Sequence, residues 1–433
     1  MTGSVQYTYD HRNLSLPSRP TDYPERSQIL AALEDQDTTV VLDDPLQNTM
    51  ILNMGPQHPA THGVLRLLIK LDGETVLAAV PELGYLHRGY EKIAEASTYH
   101  EFIPHTDRLD YLSPLSNNVA YVLAIEKLSG IEVPRRAQFI RVLVCEMARI
   151  ASHLVAVGSM AMDVGALTVL LWTFREREKL LDIYDVLCGA RFTTSYTRIG
   201  GLQQDWTDQC SAMLQAFLDQ FGAELADVES LLQHNRIFID RCENVGRISR
   251  EDAIAWGLTG PLLRAAGVPR DLRRDVPYLV YPELDFSVIT FPESDALARF
   301  YVRMAEMRES AGILRQALEK LPAGPFNAFE TKRVLPQKEK TYTKMEELIH
   351  DFMLINLGID PPVGEVYHGI ESSKGELGFY IVSDGTGNPW RMKIRSPSTC
   401  NLSTLPIMLK GGMVSDIVAV IGSLDPVMGE ADK

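Results

Sequence analysis

The stretch "VPRRAQFIRVLVCEMARIASHLVAVG", residues 133–158, predicts a long helix at the centre of the fold. Pro134 lies near its first turn, where a missing amide proton costs the helix little. Apolar residues then recur at steps of three and four positions, the spacing of a helix that packs through one face. These apolar residues are Phe139, Val142, Leu143, Met147, Ile150 and Leu154.

The overlapping segment "LVAVGSMAMDVGALTVLLW", residues 154–172, is long and apolar enough to resemble a membrane span. However, Asp163 lies at its centre, Gly158 and Gly165 interrupt it, and the charged run "FREREK" follows. A carboxylate in the middle of a bilayer is costly. The segment therefore predicts two core helices that meet at a turn around Asp163.

Strand-like sequence lies on both sides of this helical region. The alternating and β-branched runs before residue 90 predict a small sheet, and "GELGFYIVSDGTGNPWRMKIRSP" predicts a hairpin around a Gly/Asn turn. We therefore predict an α+β fold, a central helical bundle with small β elements at its N- and C-terminal ends. The predicted divisions are an extended N-terminal arm (1–48), a β-rich segment (49–112), the helical bundle (113–360), and a C-terminal hairpin and tail (361–433).

Composition excludes several classes of function. The 433 residues carry 42 lysines and arginines against 57 aspartates and glutamates, a net charge of −15, which argues against a nucleic-acid partner. The five cysteines are scattered and form no C-x-x-C pair, so they predict neither a disulfide framework nor a cluster or zinc site. The N-terminus has no apolar signal region, and we expect a cytoplasmic protein.

The motif "NMGPQHPATHG", residues 53–63, holds His58 and His62 four positions apart. On a helix this spacing could bind zinc, but Pro59 follows the first histidine and no glutamate is in place as a general base. The segment is therefore a loop. Its sequence favours two interpretations over a metal site, a histidine bonded to nearby backbone and a histidine that exchanges a proton with a substrate.

Two further residues could carry chemistry. Tyr111, in "IPHTDRLDYLSP" (103–114), is either a proton donor tuned by neighbouring charges or a packed tyrosine at the start of a helix. Asp163, in its apolar surroundings, must be hydrogen-bonded, paired or protonated. It either orients a histidine or caps the helix that begins near Gly165.

Six motifs, in order along the chain, carry a resemblance to a known family. The sequence from about residue 48 to the end resembles the D subunits of NADH–quinone oxidoreductase, which are the quinone-site subunits of respiratory complex I. That family is similar in fold to the large subunit of nickel–iron hydrogenases. The motifs are "NMGPQHPATHGVLRL", "GYLHRGYEK", "HTDRLDYLSPLSNN", "VPRRAQFIRVLVCEMARIASHL", "MDVGA" and "DPVMGEADK".

The resemblance to hydrogenases extends to the frame of their metal site but not to its ligands. Hydrogenases hold their metals with one C-x-x-C after an R-G-x-E element and a second in a terminal D-P-C-x-x-C. This chain keeps the R-G-x-E element as "RGYE" at 88–91 and the first two residues of the terminal element as "DP" at 425–426. A nickel–iron centre needs thiolate ligands, so the resemblance implies a pocket without that metal. The four cysteine positions hold Asp110, Ser113, Val427 and Glu430.

The resemblance also implies roles for particular residues. His62 and Tyr111 match the pair that hydrogen-bonds the quinone head group and protonates it on reduction. Asp163 matches the carboxylate that pairs with this histidine, and loss of its protonated partner is a hypothetical trigger for proton pumping. Arg88 and Arg108 match arginines near the terminal iron–sulfur cluster of a neighbouring subunit. For His58 we expect a structural or supporting role beside His62.

The implied activity is that of a core subunit, active only within the complex, in which electrons from NADH reduce quinone to quinol and drive proton translocation. The chain is expected to bind no cofactor or metal of its own, because NADH and the iron–sulfur clusters belong to partner subunits. The expected partners are the quinone and subunits B, C, H and I. The implied location is peripheral, on the cytoplasmic face of the bacterial inner membrane or the matrix side in mitochondria.

Other functions stay open at this point. The same module could accept electrons from ferredoxin or a reduced deazaflavin, since this chain has no G-x-G-x-x-G nucleotide motif. It could also be a scaffold without catalysis, or a zinc hydrolase that uses the two histidines of 58–62. One departure concerns Thr193, where many relatives carry a histidine near the cluster. We therefore expect a weaker pH dependence of the cluster potential.

Overall fold

The computed structural model describes residues 49–329 and 332–433. The predicted N-terminal arm, residues 1–48, lies outside the described residues. The helices are α1 (Tyr90–Ala96), α2 (Ile103–Thr106), α3 (Pro114–Ser129), α4 (Arg135–Asp163), α5 (Leu167–Cys188), α6 (Asp208–Gln233), α7 (Arg236–Cys242), α8 (Arg250–Ala255), α9 (Pro261–Ala265), α10 (Leu272–Asp275), α11 (Ala296–Glu319), α12 (Lys338–Thr343), α13 (Met345–Leu357), α14 (Pro397–Ser403), α15 (Leu405–Leu409), α16 (Asp416–Leu424) and α17 (Met428–Ala431). The strands are β1 (Thr49–Met54), β2 (Arg66–Asp72), β3 (Thr75–Glu82), β4 (Thr197–Arg198), β5 (Gly201–Leu202), β6 (Gly364–Ser372), β7 (Gly375–Ser383) and β8 (Arg391–Arg395).

Helix α4 forms the centre of the bundle. It packs most extensively against α5 and α11, and also against α3 and α16. Most of its side chains are buried, on all of its faces. The predicted pair of core helices meeting at a turn is confirmed, because α4 ends at Asp163 and α5 begins at Leu167. Within residues 49–329 and 332–433, no helix is both long and apolar enough to cross a membrane.

Two three-stranded antiparallel sheets flank the bundle in the described part of the chain, and β4 and β5 pair as a separate two-stranded antiparallel sheet. This mixture of helices and strands confirms the α+β class. The N-terminal sheet has the order β1-β2-β3, and its core-facing residues pack against the C-terminal helices α15 and α16. The second sheet has the order β6-β7-β8 and joins the core of the bundle. The predicted hairpin is therefore present as β7 and β8, and β6 adds a strand that the sequence pattern did not indicate.

The predicted C-terminal tail is wrong for its last residues. Helices α14 to α17 follow the second sheet, and the carboxylates of Asp425, Glu430 and Asp432 are buried. Charged side chains can be buried when they find partners. The carboxylate of Asp432 accepts hydrogen bonds from the amides of Gly84 (2.9 Å) and Leu86 (2.7 Å), so the charged ending is folded against the N-terminal part of the chain.

A network of buried ion pairs connects the bundle to the second sheet. The guanidinium group of Arg264, in α9, donates to Glu306 of α11 (2.7 Å) and to Glu371 of β6 (2.7 Å). Glu306 also lies 3.0 Å from the ring of His153. In α4, Arg149 donates to the main-chain oxygen of Glu371 (2.6 Å). These contacts fix the start of the turn between β6 and β7.

Candidate active site

The loop after β1 presents His62 to the outside of the core. The amide and hydroxyl groups of the buried Thr61 both donate to the main-chain oxygen of His58, at 3.0 and 2.7 Å. Gly55 has φ +88°, and a Cβ atom there would lie 2.1 Å from the main-chain oxygen of Leu65. Only glycine therefore allows this close approach of the two ends of the loop. The backbone of His62 itself is left-handed, with φ +49°. His58 is exposed.

His62 is paired with Asp163. The imidazole Nε2 atom lies 2.9 Å from Oδ2 of the carboxylate, and the side chains are 15% and 4% exposed. Helix α5 is preceded by Ala166 and has no side-chain cap, so the alternative interpretation of Asp163 as a cap is wrong. A Cβ atom on Gly422 of α16 would lie 3.0 Å from Oδ2. The carboxylate is thus enclosed between α16 and the imidazole.

Tyr111 lies in the turn between α2 and α3 and is 40% exposed, so it is not a packed core tyrosine. Burial of the rest of the side chain raises the pKa of Tyr111, and the neighbouring carboxylate of Asp110 raises it further, while the Lys374 ammonium opposes them. The neighbouring charges therefore do not make the phenol more acidic. It keeps its proton at neutral pH and can release it only to a strong base.

The segment of Met428 and Gly429 lies between these two loops. A Cβ atom on Gly429 would lie 2.6 Å from the main-chain oxygen of Leu109 and 3.4 Å from Cε1 of Tyr111. A Cβ atom on Gly63 would lie 3.9 Å from Cγ of Met428. The C-terminal segment thus contacts both the loop between β1 and β2 that holds His62, the histidine loop, and the turn between α2 and α3 that holds Tyr111, the tyrosine turn. No local pattern in "DPVMGEAD" indicates this contact, but the resemblance to hydrogenases implies it, because Asp110 and Glu430 stand at positions whose cysteines hold one metal site there.

We expect Gly429→Ala to reduce the activity of the site at least tenfold, within the range that misplaced catalytic groups lose. The added methyl group would clash with two main-chain oxygens, of Leu109 and Arg108 at 2.6 and 2.8 Å, and backbone cannot give way as a flexible side chain can. The matched control is Gly312→Ala in α11, where a Cβ atom meets nothing within 4 Å. The measurement is the rate of the activity that the resemblance implies, quinone reduction in the intact complex, and equal rates for the two variants would contradict the prediction.

A buried lysine lies beside the tyrosine turn. The Nζ atom of Lys374 is 2.9 Å from Oδ2 of Asp425 and 3.6 Å from Oδ2 of Asp110, and it donates to the hydroxyl of Ser152 (2.8 Å). Its pKa is raised, because the surrounding carboxylates outweigh the cost of burial. Sequence reasoning missed this lysine, which lies in an ordinary turn between two strands. Among the described residues, no three His, Cys, Asp or Glu side chains are grouped as a metal site would require.

Arg88 and Arg108 line a surface cleft of about 410 Å³. Arg88 donates to the hydroxyl of Tyr90 (3.2 Å), and Arg108 donates to the main-chain oxygen of Pro104 (2.5 Å). The pKa of His105 is lowered by burial and by Arg108. The cleft therefore owes its positive charge at neutral pH to the two arginines. It lies beside the tyrosine turn rather than at the His62–Asp163 pair.

The segment that contains Thr193 runs past the same turn. Thr193 is exposed. Two residues later, the amide and hydroxyl groups of Ser195 donate to the carboxylate of Asp107, at 3.0 and 2.5 Å. Asp107 immediately precedes Arg108, so this segment lies close to the arginine cleft.

Comparisons with known proteins agree with these motifs. The family model described as the 49 kDa subunit of respiratory-chain NADH dehydrogenase matches residues 163–433. The chain is 59% identical over 410 residues to a D subunit of the NADH-quinone oxidoreductase of Chloroherpeton thalassium, covering 94% of this chain and 93% of that protein. It is 54% identical to the D subunit of Salinibacter ruber (90% and 87% covered) and 53% identical to the D subunit of Methylacidiphilum infernorum (95% and 97% covered). The chain therefore belongs to the 49 kDa subunit family of respiratory-chain NADH dehydrogenase.

Proposed function

We propose that this chain is a core subunit of the proton-pumping NADH:quinone oxidoreductase, and that it forms the quinone-reduction site together with the subunit that carries the terminal iron–sulfur cluster. The names of relatives that match almost the whole chain support an NADH-driven enzyme, and they do not favour ferredoxin or deazaflavin as donors. The observation that carries the proposal is the contact between His62 and Asp163, held near the partly exposed Tyr111 by one C-terminal segment.

The two side chains suit the protonation half of the reaction. Reduction of a quinone to a quinol takes two electrons and two protons, and a phenol and an imidazole can each deliver one proton to a strongly basic reduced quinone. Tyr111 and His62 would hydrogen-bond the head group and supply those protons, and His58 would support the histidine loop. Once His62 has lost its proton, Asp163 would face a neutral imidazole. This uncompensated charge is our proposed trigger for proton translocation in adjacent subunits.

The arginine cleft suits the electron-transfer half. Two guanidinium groups, of Arg88 and Arg108, would stabilise the negative charge of a reduced cluster in a partner subunit. The chain itself would bind no cofactor, with NADH and all iron–sulfur clusters held by partners. Subunits B, C, H and I are the proposed partners, and the proposed location is peripheral, on the cytoplasmic face of the bacterial inner membrane. Thr193 would leave the cluster potential only weakly dependent on pH.

We also propose that the α+β fold is that of the nickel–iron hydrogenase large subunit. In hydrogenases the two C-x-x-C elements meet around the metals. Here Asp110 and Glu430, which stand at two of those positions, raise the pKa of the same tyrosine and surround the same lysine. Convergence of the two distant segments on one buried point supports the relationship.

Asp163→Asn is expected to lower quinone reduction at least tenfold, because the neutral amide no longer stabilises a protonated His62. His62→Ala should lower it by a similar factor. If the two residues act as one unit, the double variant should be no slower than the slower single variant. The measurement is NADH-driven quinone reduction in membranes, with reduction of an artificial acceptor that bypasses the quinone site as the control. Multiplied losses in the double variant would show that the residues act independently.

A further inference from the structure

Beside Tyr111 the chain buries three carboxyl groups around one lysine. Asp110, Asp425 and Glu430 are all enclosed, as is Lys374. The ammonium group forms one close ion pair, with Asp425 at 2.9 Å, and a longer one with Asp110 at 3.6 Å. Such groups are costly to bury unless their charges balance.

The charges of this cluster do not balance if every carboxyl group is ionised. Three carboxylates face one ammonium ion, and a second cation, Arg303, acts on Asp425. Lys433 also acts on Glu430, but burial and the neighbouring Lys393 lower the pKa of Lys433, and Glu430 is the weakest of the groups that oppose them, so Lys433 is not counted as a cation of this cluster. With three negative and two positive charges, one negative charge is left over. In a site that excludes water, an excess negative charge is relieved when one carboxyl group keeps its proton.

The positions of the unpartnered oxygen atoms indicate where this proton lies. Oε1 of Glu430 accepts hydrogen bonds from the amide (3.1 Å) and the hydroxyl of Ser398. Its other oxygen, Oε2, is buried without a hydrogen-bond partner among the described residues, as are Oδ2 of Asp110 and Oδ2 of Asp425. Of these three atoms, Oδ2 of Asp425 has the closest cation, the Lys374 ammonium at 2.9 Å, and Oδ2 of Asp110 lies farther from it, at 3.6 Å. Burial and, next, the charge of Asp110 raise the pKa of Glu430 to about 7. Burial also raises the pKa of Asp110.

The same two carboxyl groups are neighbours of the phenol. Asp110 precedes Tyr111 in the chain. Gly429, which precedes Glu430, packs against the tyrosine ring, since a Cβ atom on this glycine would lie 3.4 Å from Cε1. The charges of Asp110 and Glu430 both raise the pKa of Tyr111. The carboxyl pair is therefore a buried source of protons next to the proposed donor.

We propose that Asp110 and Glu430 share one proton in the resting complex and return it to Tyr111 after the phenol has protonated the reduced quinone. This inference rests on the proposed function. The phenol O–H bond breaks, its proton goes to a quinone oxygen, and the electrons come from the partner's cluster. The tyrosinate oxygen then takes the carboxyl proton. Tyr111 is neutral again, the pair is fully ionised, and one proton from solvent restores the pair before the next turnover.

Other groups around the pair set its protonation. The carboxylates and tyrosine favour retention of the proton, and the lysines and arginine oppose it. Among the described residues, the titratable and charged groups that act on the pair include Tyr111, Lys374, Asp425 and Lys433, with Arg303 beyond Asp425 and Cys400 beside Lys433.

The test is the pH profile of NADH-driven quinone reduction in the intact membrane-bound complex. In the wild type the rate should decline as the pH rises through about 7, where Glu430 loses its proton. Glu430→Gln keeps the shape and an acceptor for Ser398 but cannot release a proton. We expect it to lower the rate about tenfold at slightly acidic pH, less than the roughly 10² to 10⁴ of a direct general acid because the pair acts through Tyr111, and to make the decline shallower than in the wild type. Glu430→Asp should retain the decline, and Glu251→Gln on the surface should match the wild type.

Each outcome decides between the two proposals. A wild-type rate that does not change between about pH 6 and about pH 8 overturns the shared proton without any variant. A wild-type pH profile in Glu430→Gln overturns the shared proton too, because a glutamate with only a structural role can be replaced by glutamine without a change in the profile. The rate with the artificial acceptor shows whether the complex has assembled. If Glu430→Gln abolishes that rate, the same pH profile is measured with Asp110→Asn, which changes the other carboxyl group of the pair. If Tyr111→Phe keeps its rate of quinone reduction, the proposed function itself fails. If Tyr111→Phe loses that rate but Glu430→Gln keeps the wild-type rate and pH profile, only the shared proton is overturned.

Discussion

Tyr111→Phe is expected to lower NADH-driven quinone reduction by a factor of about 10² to 10⁴, the contribution of a positioned general acid. Phenylalanine keeps the ring that packs against Gly429 and removes only the hydroxyl group. The loss should therefore appear in turnover rather than in folding. The measurement is quinone reduction in the membrane-bound complex, beside reduction of an artificial acceptor that bypasses the quinone site.

The acceptor rate separates chemistry from assembly. We expect it to be unchanged in Tyr111→Phe, because an acceptor that bypasses the quinone site does not need the phenol. Tyr342→Phe is the matched control, since Tyr342 is 78% exposed and far from the site in sequence, and both of its rates should equal those of the wild type. If Tyr111→Phe keeps both rates, the phenol is not a proton donor and the chain acts as a scaffold.

Arg264→Met is expected to destabilise the fold by about 3–5 kcal/mol, the cost of breaking a buried ion pair from one side. The guanidinium group is buried between the carboxylates of Glu306 and Glu371, at 2.7 Å from each. Methionine fills a similar volume but leaves two buried negative charges without their main cation. The contacts that are lost are those that join α9, α11 and β6.

An exposed arginine gives the comparison. Arg236, 90% exposed, pairs with Asp240 on the surface of α7 at 3.4 Å. Surface pairs of this kind contribute at most about 1 kcal/mol. Arg236→Met should therefore change little. The measurement is the free energy of unfolding in urea, and the amount of assembled complex is a second measure. Equal losses of stability in the two variants would contradict the prediction.

The helical core could be predicted from the sequence because its signals are local. The apolar spacing from Phe139 to Leu154 is repeated over several turns, and Asp163 with Gly165 marks the break between α4 and α5. The residues of the candidate site were found differently, through a resemblance of whole motifs. The composition of the loop around His62 left its role open, and only the structure gave the 2.9 Å contact with Asp163.

What the sequence did not predict depends on contacts between distant parts of the chain. Strand β6 contains Gly364 and Gly369 and no clear alternation, yet it pairs in register with all of β7. The charged end of the chain resembles a solvated tail, and its burial depends on partners such as Lys374 and on the amides of Gly84 and Leu86. No local rule connects these positions.

The hydrogen bonds that join Asp432 to Gly84 and Leu86 have a consequence for the order of folding. They connect positions 348 and 346 residues apart, so the intervening chain must be closed into a loop before they can form. Helical turns within the bundle carry no such entropic cost. The tyrosine turn and the histidine loop would thus be brought together late, on a scaffold already formed. A partly folded nascent chain would therefore have no competent pocket for a substrate.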